Sequence, residues 1–152
     1  MRGPKLIAGL LMCVACASLL AEINEAVYLG IDAKGVRHQS KESARSAPWV
    51  RDVTHAERPR PRITSRSGDW YQGVGIFRLR IDPASGATRE VTIVRSTGHV
   101  VFDRSALLAL KLWRWKPGTW TQVDVPIAFQ QGGGVLFFPR YTTLPVRKKS
   151  DE

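Results

Sequence analysis

Apolar and polar residues alternate along two neighbouring segments, "GIFRLRID" and "TREVTIVRS", and this period of two residues constrains the fold more than any other feature of the chain. A period of two is typical of a β-strand with one buried and one solvated face. The segment between them, "DPASG", holds proline and glycine where a tight reversal uses them. The pair therefore predicts a β-hairpin. Its predicted buried positions are Phe77, Leu79, Ile81, Val91 and Ile93.

The spacing of apolar residues changes to that of a helix after "STGHVVFD". Asp103 precedes the helical run, at a position where a carboxylate can cap the free amides of a starting helix. The sequence therefore predicts a helix over residues 104–113, which Pro117-Gly118 prevents from continuing. One stripe of this helix is able to cover a sheet. It consists of Ala106, Leu107, Leu110 and Trp113.

A third alternating run, "TQVDVPIAF", follows the helix and contains Pro126. Proline has no N–H for a β ladder, so this strand is predicted to be the edge of the sheet, with the missing donor on the open side. An exposed edge is a template for a partner peptide that adds as a further strand. The alternative is that the tail from Gln131 covers this edge. The docking candidates are Gln122, Val123, Asp124, Val125, Pro126, Ile127 and Ala128.

Three of the five tryptophans lie close together in "LKLWRWKPGTW", with cations between them. If they were exposed, they would suit stacking on a nucleic acid or a sugar. However, Trp113 belongs to the helix stripe, so we expect it to face the sheet, with Trp115 and Trp120 closing the core beside the Pro-Gly stop. The net charge of +10 is also spread along the chain rather than gathered in one stripe. The stretch therefore favours architecture, and no nucleic-acid partner is expected.

The first 21 residues differ from the rest of the chain. Arg2 and Lys5 precede the uncharged, mostly apolar run Leu6–Ala21, which is the layout of an export signal. The run is shorter than the ~20 residues that span a bilayer. Residues 1–21 are therefore predicted to be a cleaved signal, with an uncleaved membrane anchor or lipidation at Cys16 as alternatives. Both cysteines of the chain lie in this segment, so the exported part contains no disulfide.

The remaining segments have little apolar periodicity. Residues 22–67 are rich in Ser, Pro and Arg, which predicts a polar linker, with room for a short ordered piece at Trp49-Val50, before a domain at residues 68–130. Residues 131–152 form a Gly-rich segment and a basic tail, in which residues 135–138 could add a short strand or pack on the sheet. The three histidines are scattered in the sequence, so we expect no catalytic site, no metal and no cofactor. The protein is expected not to be an enzyme.

Residues 73–129 resemble the C-terminal domain of TonB-family energy transducers. Four motifs carry the resemblance: Ser96-Thr-Gly98, Asp103 with Ala106-Leu107, Trp113-x-Trp115-x-Pro117 and Val125-Pro-Ile-x-Phe129. The resemblance implies a small two-layer α+β domain, in which a helix packs on one face of a three-stranded antiparallel sheet. It also implies that Ser96, Gly98, Asp103, Trp113, Trp115 and Pro117 form a structural motif.

The resemblance further implies a periplasmic function. Domains of this family bind the extended TonB-box segment of an outer-membrane transporter by adding it to the last strand of the sheet. An inner-membrane complex of ExbB and ExbD type supplies the energy for transport. The family's membrane anchor carries a histidine, however, and Leu6–Ala21 has none. The alternative function is therefore an exported adaptor that binds a partner protein through the same fold without transmitting force.

Overall fold

The computed structural model describes residues 28–40, 47–63, 71–130 and 134–137. These residues form eight strands, one α-helix and a short 3-10 helix at Val50–Asp52. The strands are β1 Tyr28–Asp32, β2 Arg37–Ser40, β3 Val53–His55, β4 Gly73–Ile81, β5 Thr88–Arg95, β6 Arg114–Trp115, β7 Trp120–Phe129 and β8 Val135–Phe137, and the helix, α1, is Val100–Leu110.

Six of the strands form one antiparallel sheet. Its order is β2-β1-β7-β4-β5, and β8 pairs with the end of β7. The small α+β fold and the β4–β5 hairpin are confirmed. The prediction of three strands is wrong, because β1, β2 and β8 extend the sheet beyond β7. β1 and β2 come from a segment with little apolar periodicity, and β8 lies in residues 135–138, for which the sequence leaves a short strand open as one of two possibilities.

The β1–β2 hairpin lies in the part of the chain predicted to be a linker. Its turn is closed by Asp32, whose Oδ1 accepts the N–H of Lys34 at 2.8 Å and that of Val36 at 2.9 Å. Gly35 in this turn has φ of 81°, a conformation that glycine adopts without a steric penalty. Local turn chemistry therefore stabilises this hairpin, in which Leu29 is the one large apolar side chain that is buried among those the structure describes.

Residues 47–63 belong to the same predicted linker, and they pack on the core. The side chain of Trp49 is fully buried, and its ring meets that of Trp115 edge-on at 5.9 Å between centroids. β3 pairs with β6, and the indole N–H of Trp113 donates to the carbonyl of Glu57 at 2.9 Å. Residues 47–63 are ordered around the piece expected at Trp49-Val50, because this tryptophan supplies the large buried area that the polar residues around it lack.

Helix α1 begins and ends earlier than predicted. Its N-cap is His99, and Asp103 lies in its first turn, so Asp103 is not the cap. The helix packs against β5 and β4. It also reaches β7, because Phe102 stacks on Phe129 with 4.4 Å between ring centroids.

One hydrophobic core joins the sheet, α1 and residues 47–63. The predicted buried positions of the β4–β5 hairpin are confirmed except for Ile93, which is 43% exposed because β5 is an outer strand of the sheet. Trp113, Trp115 and Trp120 are all buried, at 5% exposure or less. The rings of these three tryptophans are therefore part of the core, as the sequence predicts.

Candidate strand-docking edge

The predicted docking site lies on β7, whose inner side is paired along almost its whole length. β4 pairs with it without a break in register, from Gly73 opposite Phe129 to Arg80 opposite Gln122. The side chains of Val123, Val125 and Ile127 are fully buried in the core. β7 is therefore a fixed strand at the centre of the sheet.

The prediction that β7 is an edge strand is wrong. On its outer side, β1 pairs within Trp120–Val123 and β8 pairs with Ile127–Phe129. Among the described residues, Asp124–Pro126 of β7 have no strand partner on that side, and Thr121 lies opposite the register shift in β1. Of the seven predicted docking residues, two face β1, two face β8 and three lie in the gap between these strands. The alternative prediction, in which the tail beyond Gln131 covers the edge, is correct for β8.

Pro126 is tolerated in β7 because its backbone groups point away from β4. The N–H of Gln130 donates to the carbonyl of Gly134 at 2.7 Å, which is on the side of β8. Backbone groups alternate between the two sides of a strand, so those of Asp124 and Pro126 also point to this side. The missing donor of Pro126 therefore costs no hydrogen bond to β4. On this side Asp124 contributes an N–H and a carbonyl and Pro126 contributes a carbonyl, and both residues are buried.

The side chain of Asp124 has a structural partner. Its two carboxylate oxygens accept hydrogen bonds from Nε and Nη2 of Arg78 at 2.8 and 2.9 Å, a bidentate geometry that is among the stronger ionic contacts. This hydrogen bond raises the pKa of Arg78 above its ordinary value. Since Arg78 and Asp124 are opposite each other on β4 and β7, the pair fixes the register of these strands. A docking role of Asp124 would therefore rest on its backbone.

β1 is held on β7 by contacts beyond its ladder. The hydroxyl of Thr121 donates to the carbonyl of Ile31 at 3.1 Å, and the N–H of Ala33 donates to the carbonyl of Thr119 at 2.9 Å. Gly30 lies directly on the indole of Trp120, so a Cβ at this position would be 2.5 Å from the ring. The absence of a side chain at Gly30 allows the close approach of these two strands.

Trp120 is itself fixed from two sides. Its indole N–H donates to Oδ2 of Asp52 at 2.9 Å, and the ring of His38 meets it edge-on at 5.3 Å between centroids. Nε2 of His38 lies 2.8 Å from Oδ2 of Asp32, and this hydrogen bond is the main cause that lowers the pKa of Asp32. The hairpin is therefore connected to β7 and to residues 47–63 through one buried tryptophan.

β8 has fewer attachments. It pairs with β7 at three positions, and the guanidinium of Arg58 donates to the carbonyl of Val135 at 3.3 Å. The alternation of backbone groups inferred from the Gln130–Gly134 hydrogen bond directs the carbonyl of Val135 away from β7, which leaves it available to Arg58. It follows that Leu136, opposite Ala128, directs its N–H and carbonyl towards β7.

The six motif residues lie outside the bounds of β7. Oδ1 of Asp103 accepts the N–H and the hydroxyl of Thr97 at 2.9 and 2.7 Å, and Oδ2 accepts the hydroxyl of Ser96 at 2.5 Å. Gly98 in the same loop has φ of 86°. Trp113 and Trp115 are buried, and Pro117 is exposed in the turn before β7. The motif therefore joins the β5–α1 loop and the end of the helix to the core.

Residues 65–131 match a family model described as the Gram-negative bacterial TonB protein C-terminal. This segment is a TonB-family C-terminal domain. The resemblance carried by the sequence motifs is thereby confirmed. Comparisons with curated proteins and with solved structures give no match. In this TonB-family domain the matched segment contains β4, β5, α1, β6 and β7, whereas β1 and β8, the two strands on the outer side of β7, lie outside it.

No helix within the described ranges is long and apolar enough to cross a membrane. The predicted signal or anchor at residues 6–21 lies outside these ranges. The same described residues contain no cluster of three or more His, Cys, Asp or Glu side chains that could hold a metal ion.

Proposed function

We propose that this protein works in the periplasm, where its TonB-family domain binds the extended TonB-box segment of an outer-membrane transporter and so supports energised transmembrane transport. The segment adds as a strand to β7 along Asp124–Phe129, where it replaces β8. The protein acts by binding, not as an enzyme, and it needs no cofactor.

The observation that supports this proposal is the unequal covering of β7. Among the described residues, β4 pairs with its inner side from Gln122 to Phe129, whereas on its outer side β8 pairs with Ile127–Phe129 and Asp124–Pro126 have no strand partner. Backbone groups that point from a fixed strand into a gap bind an extended peptide through main-chain hydrogen bonds. This half of β7 is therefore the part of the predicted docking strand that has the least strand pairing on its outer side among the described residues.

Replacement of β8 is favourable because an added strand pairs with more of β7. The backbone groups on the outer side belong to Asp124, Pro126 and Ala128, and β8 uses only those of Ala128. A ladder hydrogen bond contributes about 0.5–1.5 kcal/mol net. A partner that also pairs at Asp124 and Pro126 thus gains bonds that β8 does not make.

Two proline variants of β8 test this competition. Leu136→Pro removes an N–H that points to β7, so it should weaken β8 and tighten the binding of TonB-box peptides by about tenfold. Phe137→Pro is the matched control, because its N–H points away from β7. It should leave the affinity within about twofold of the unchanged protein. Peptide titrations followed by fluorescence anisotropy measure both.

Equal affinity of all three proteins would show that β8 does not compete for the site. Weaker binding by Leu136→Pro than by Phe137→Pro would show that β8 forms part of the binding surface. Either result contradicts strand replacement. Absence of binding by any TonB-box peptide would contradict the proposed function as a whole.

Coupling to an ExbB/ExbD-type complex is a separate part of the proposal, and it depends on residues 1–21. The alternative is an adaptor that binds without transmitting force, which is favoured by the lack of a histidine in Leu6–Ala21. Mass spectrometry of the N-terminus in the native host distinguishes the two. A chain that retains residues 1–21 supports force transmission, and a chain that begins near Ser18 or Glu22 supports the adaptor.

A further inference from the structure

The β1–β2 hairpin occupies the outer side of β7 next to the proposed docking segment. β1 pairs with β7 at Gly30, Ile31 and Asp32, whereas its remaining residues, Tyr28 and Leu29, pair only with β2. β1 therefore pairs with β7 only from Gly30 to Asp32, and the gap opens on the N-terminal side of Gly30. A partner strand that extended beyond Asp124 towards Trp120 would meet β1.

We propose that this hairpin is a built-in stop, which limits a partner segment to the half of β7 from Asp124 to Phe129 and selects short segments held in one register. The inference rests on the proposed function, because it concerns the same site. It goes further in naming the element that determines how much of a partner strand can pair.

The two strands on the outer side of β7 differ in how firmly they are attached. β1 is fixed by the contact of Gly30 with Trp120 and by the hydrogen bonds of Thr121 and Ala33, and Trp120 is fixed in turn by Asp52. The described contacts of β8 outside its turn and ladder are the Arg58 hydrogen bond and the burial of Val135. A partner would therefore replace β8 and leave β1 in place.

This difference determines how affinity depends on peptide length. Beyond Asp124, the next backbone groups on the outer side belong to Gln122, and they already pair with Ile31. A TonB-box peptide of six residues can reach every position from Asp124 to Phe129. A peptide of ten residues gains no further ladder bonds, so the intact protein should bind both equally.

Gly30→Val tests the stop, because its side chain would overlap the ring of Trp120 and separate β1 from β7. Gln39→Val is the matched control, since Gln39 is exposed on β2. The full chain and the control should bind the six-residue and ten-residue versions of one TonB-box peptide with affinities within about twofold of each other. Gly30→Val should bind the longer version tighter on the order of tenfold, because Gln122 and Trp120 become available.

Thr121→Val provides a second route to the same result without added bulk. It removes the hydroxyl that binds the carbonyls of Ile31 and Asp32, so it should show a smaller gain with the longer peptide. The stop is contradicted if neither variant gains affinity with length, or if the intact protein already does. In those cases the proposed function stands as long as the six-residue peptide binds. If neither peptide binds any of the proteins, the proposed function fails and the stop fails with it.

Discussion

Asp103 belongs to the family motif, and its position in the sequence predicts a role at the start of the helix. An acidic residue before an apolar helical run predicts a cap, and the family pattern marks the same residue. In the structure its carboxylate binds Ser96 and Thr97 in the preceding loop. The sequence identifies the residue but not its partners, because the helix begins earlier, at Val100, and Asp103 therefore lies in its first turn instead of at its cap.

Among the glycines that the structure describes, Gly86 has the tightest surroundings. It has φ of 71°, and a Cβ there would lie 1.9 Å from the carbonyl oxygen of Trp115. Gly118 has a similar φ of 77° but no atom within 4 Å of that position. Gly118→Ala should therefore lower the free energy of unfolding by about 1–2 kcal/mol, which is the cost of a Cβ in the left-handed conformation. Gly86→Ala should cost about 2 kcal/mol more, because the strand next to it must move.

Denaturant unfolding of the two glycine variants measures this difference in the free energy of unfolding. Equal losses would contradict the close packing of the β4–β5 turn against β6.

Among the secondary-structure elements, those with an apolar face can be predicted from the sequence, whereas the strand that pairs with β7 at Gly30 cannot. Periodicity predicts β4, β5, α1 and β7 because each has an apolar face. β1 has Gly30 where a buried side chain would stand, and its pairing depends on the ring of Trp120 some 90 residues later. Pro126 correctly indicates a missing donor on one side of β7. A gap of three residues is enough for a proline, however, so the residue does not require a whole open edge.

The β1–β2 hairpin should be sensitive to acid. The hydrogen bond from His38, followed by the amides of Val36 and Lys34, lowers the pKa of Asp32 in the folded protein. Because the folded pKa is lowered, the ionised carboxylate stabilises the hairpin when the pH is above about 3.9, the ordinary aspartate pKa. This stabilisation is lost as the pH falls through the folded pKa. Amide exchange in β1 should therefore accelerate as the pH falls below about 4, after correction for the intrinsic rate.

Asp32→Asn should remove most of this acceleration. Asp82→Asn is the control, because the pKa of Asp82 is lowered by Ser85 and Arg89 in the other hairpin. An acid response of β1 that is unchanged in Asp32→Asn would contradict the role of this carboxylate.

At the scale of the whole molecule, the chain adds its own strands to a TonB-family domain. The matched segment ends at residue 131, and the two strands that flank β7 come from before and after it in the chain. Sequence motifs indicate the family because they lie within the matched segment. They contain no information about β1 and β8, so the location of the free part of β7 could be found only from the register of the strands.

The central claim is that a TonB-box peptide adds to β7 from Asp124 to Phe129 and releases β8. Amide exchange of the full chain with a saturating TonB-box peptide tests it at two residues. Strand replacement predicts slower amide exchange at Asp124, which lies in the gap, and faster exchange at Leu136, which is released with β8. Exchange at Gln122, which pairs with β1, should be unchanged. Unchanged exchange at Asp124 and Leu136, together with slowing along the outer side of β5, would contradict the account and place the docking strand at the opposite edge of the sheet.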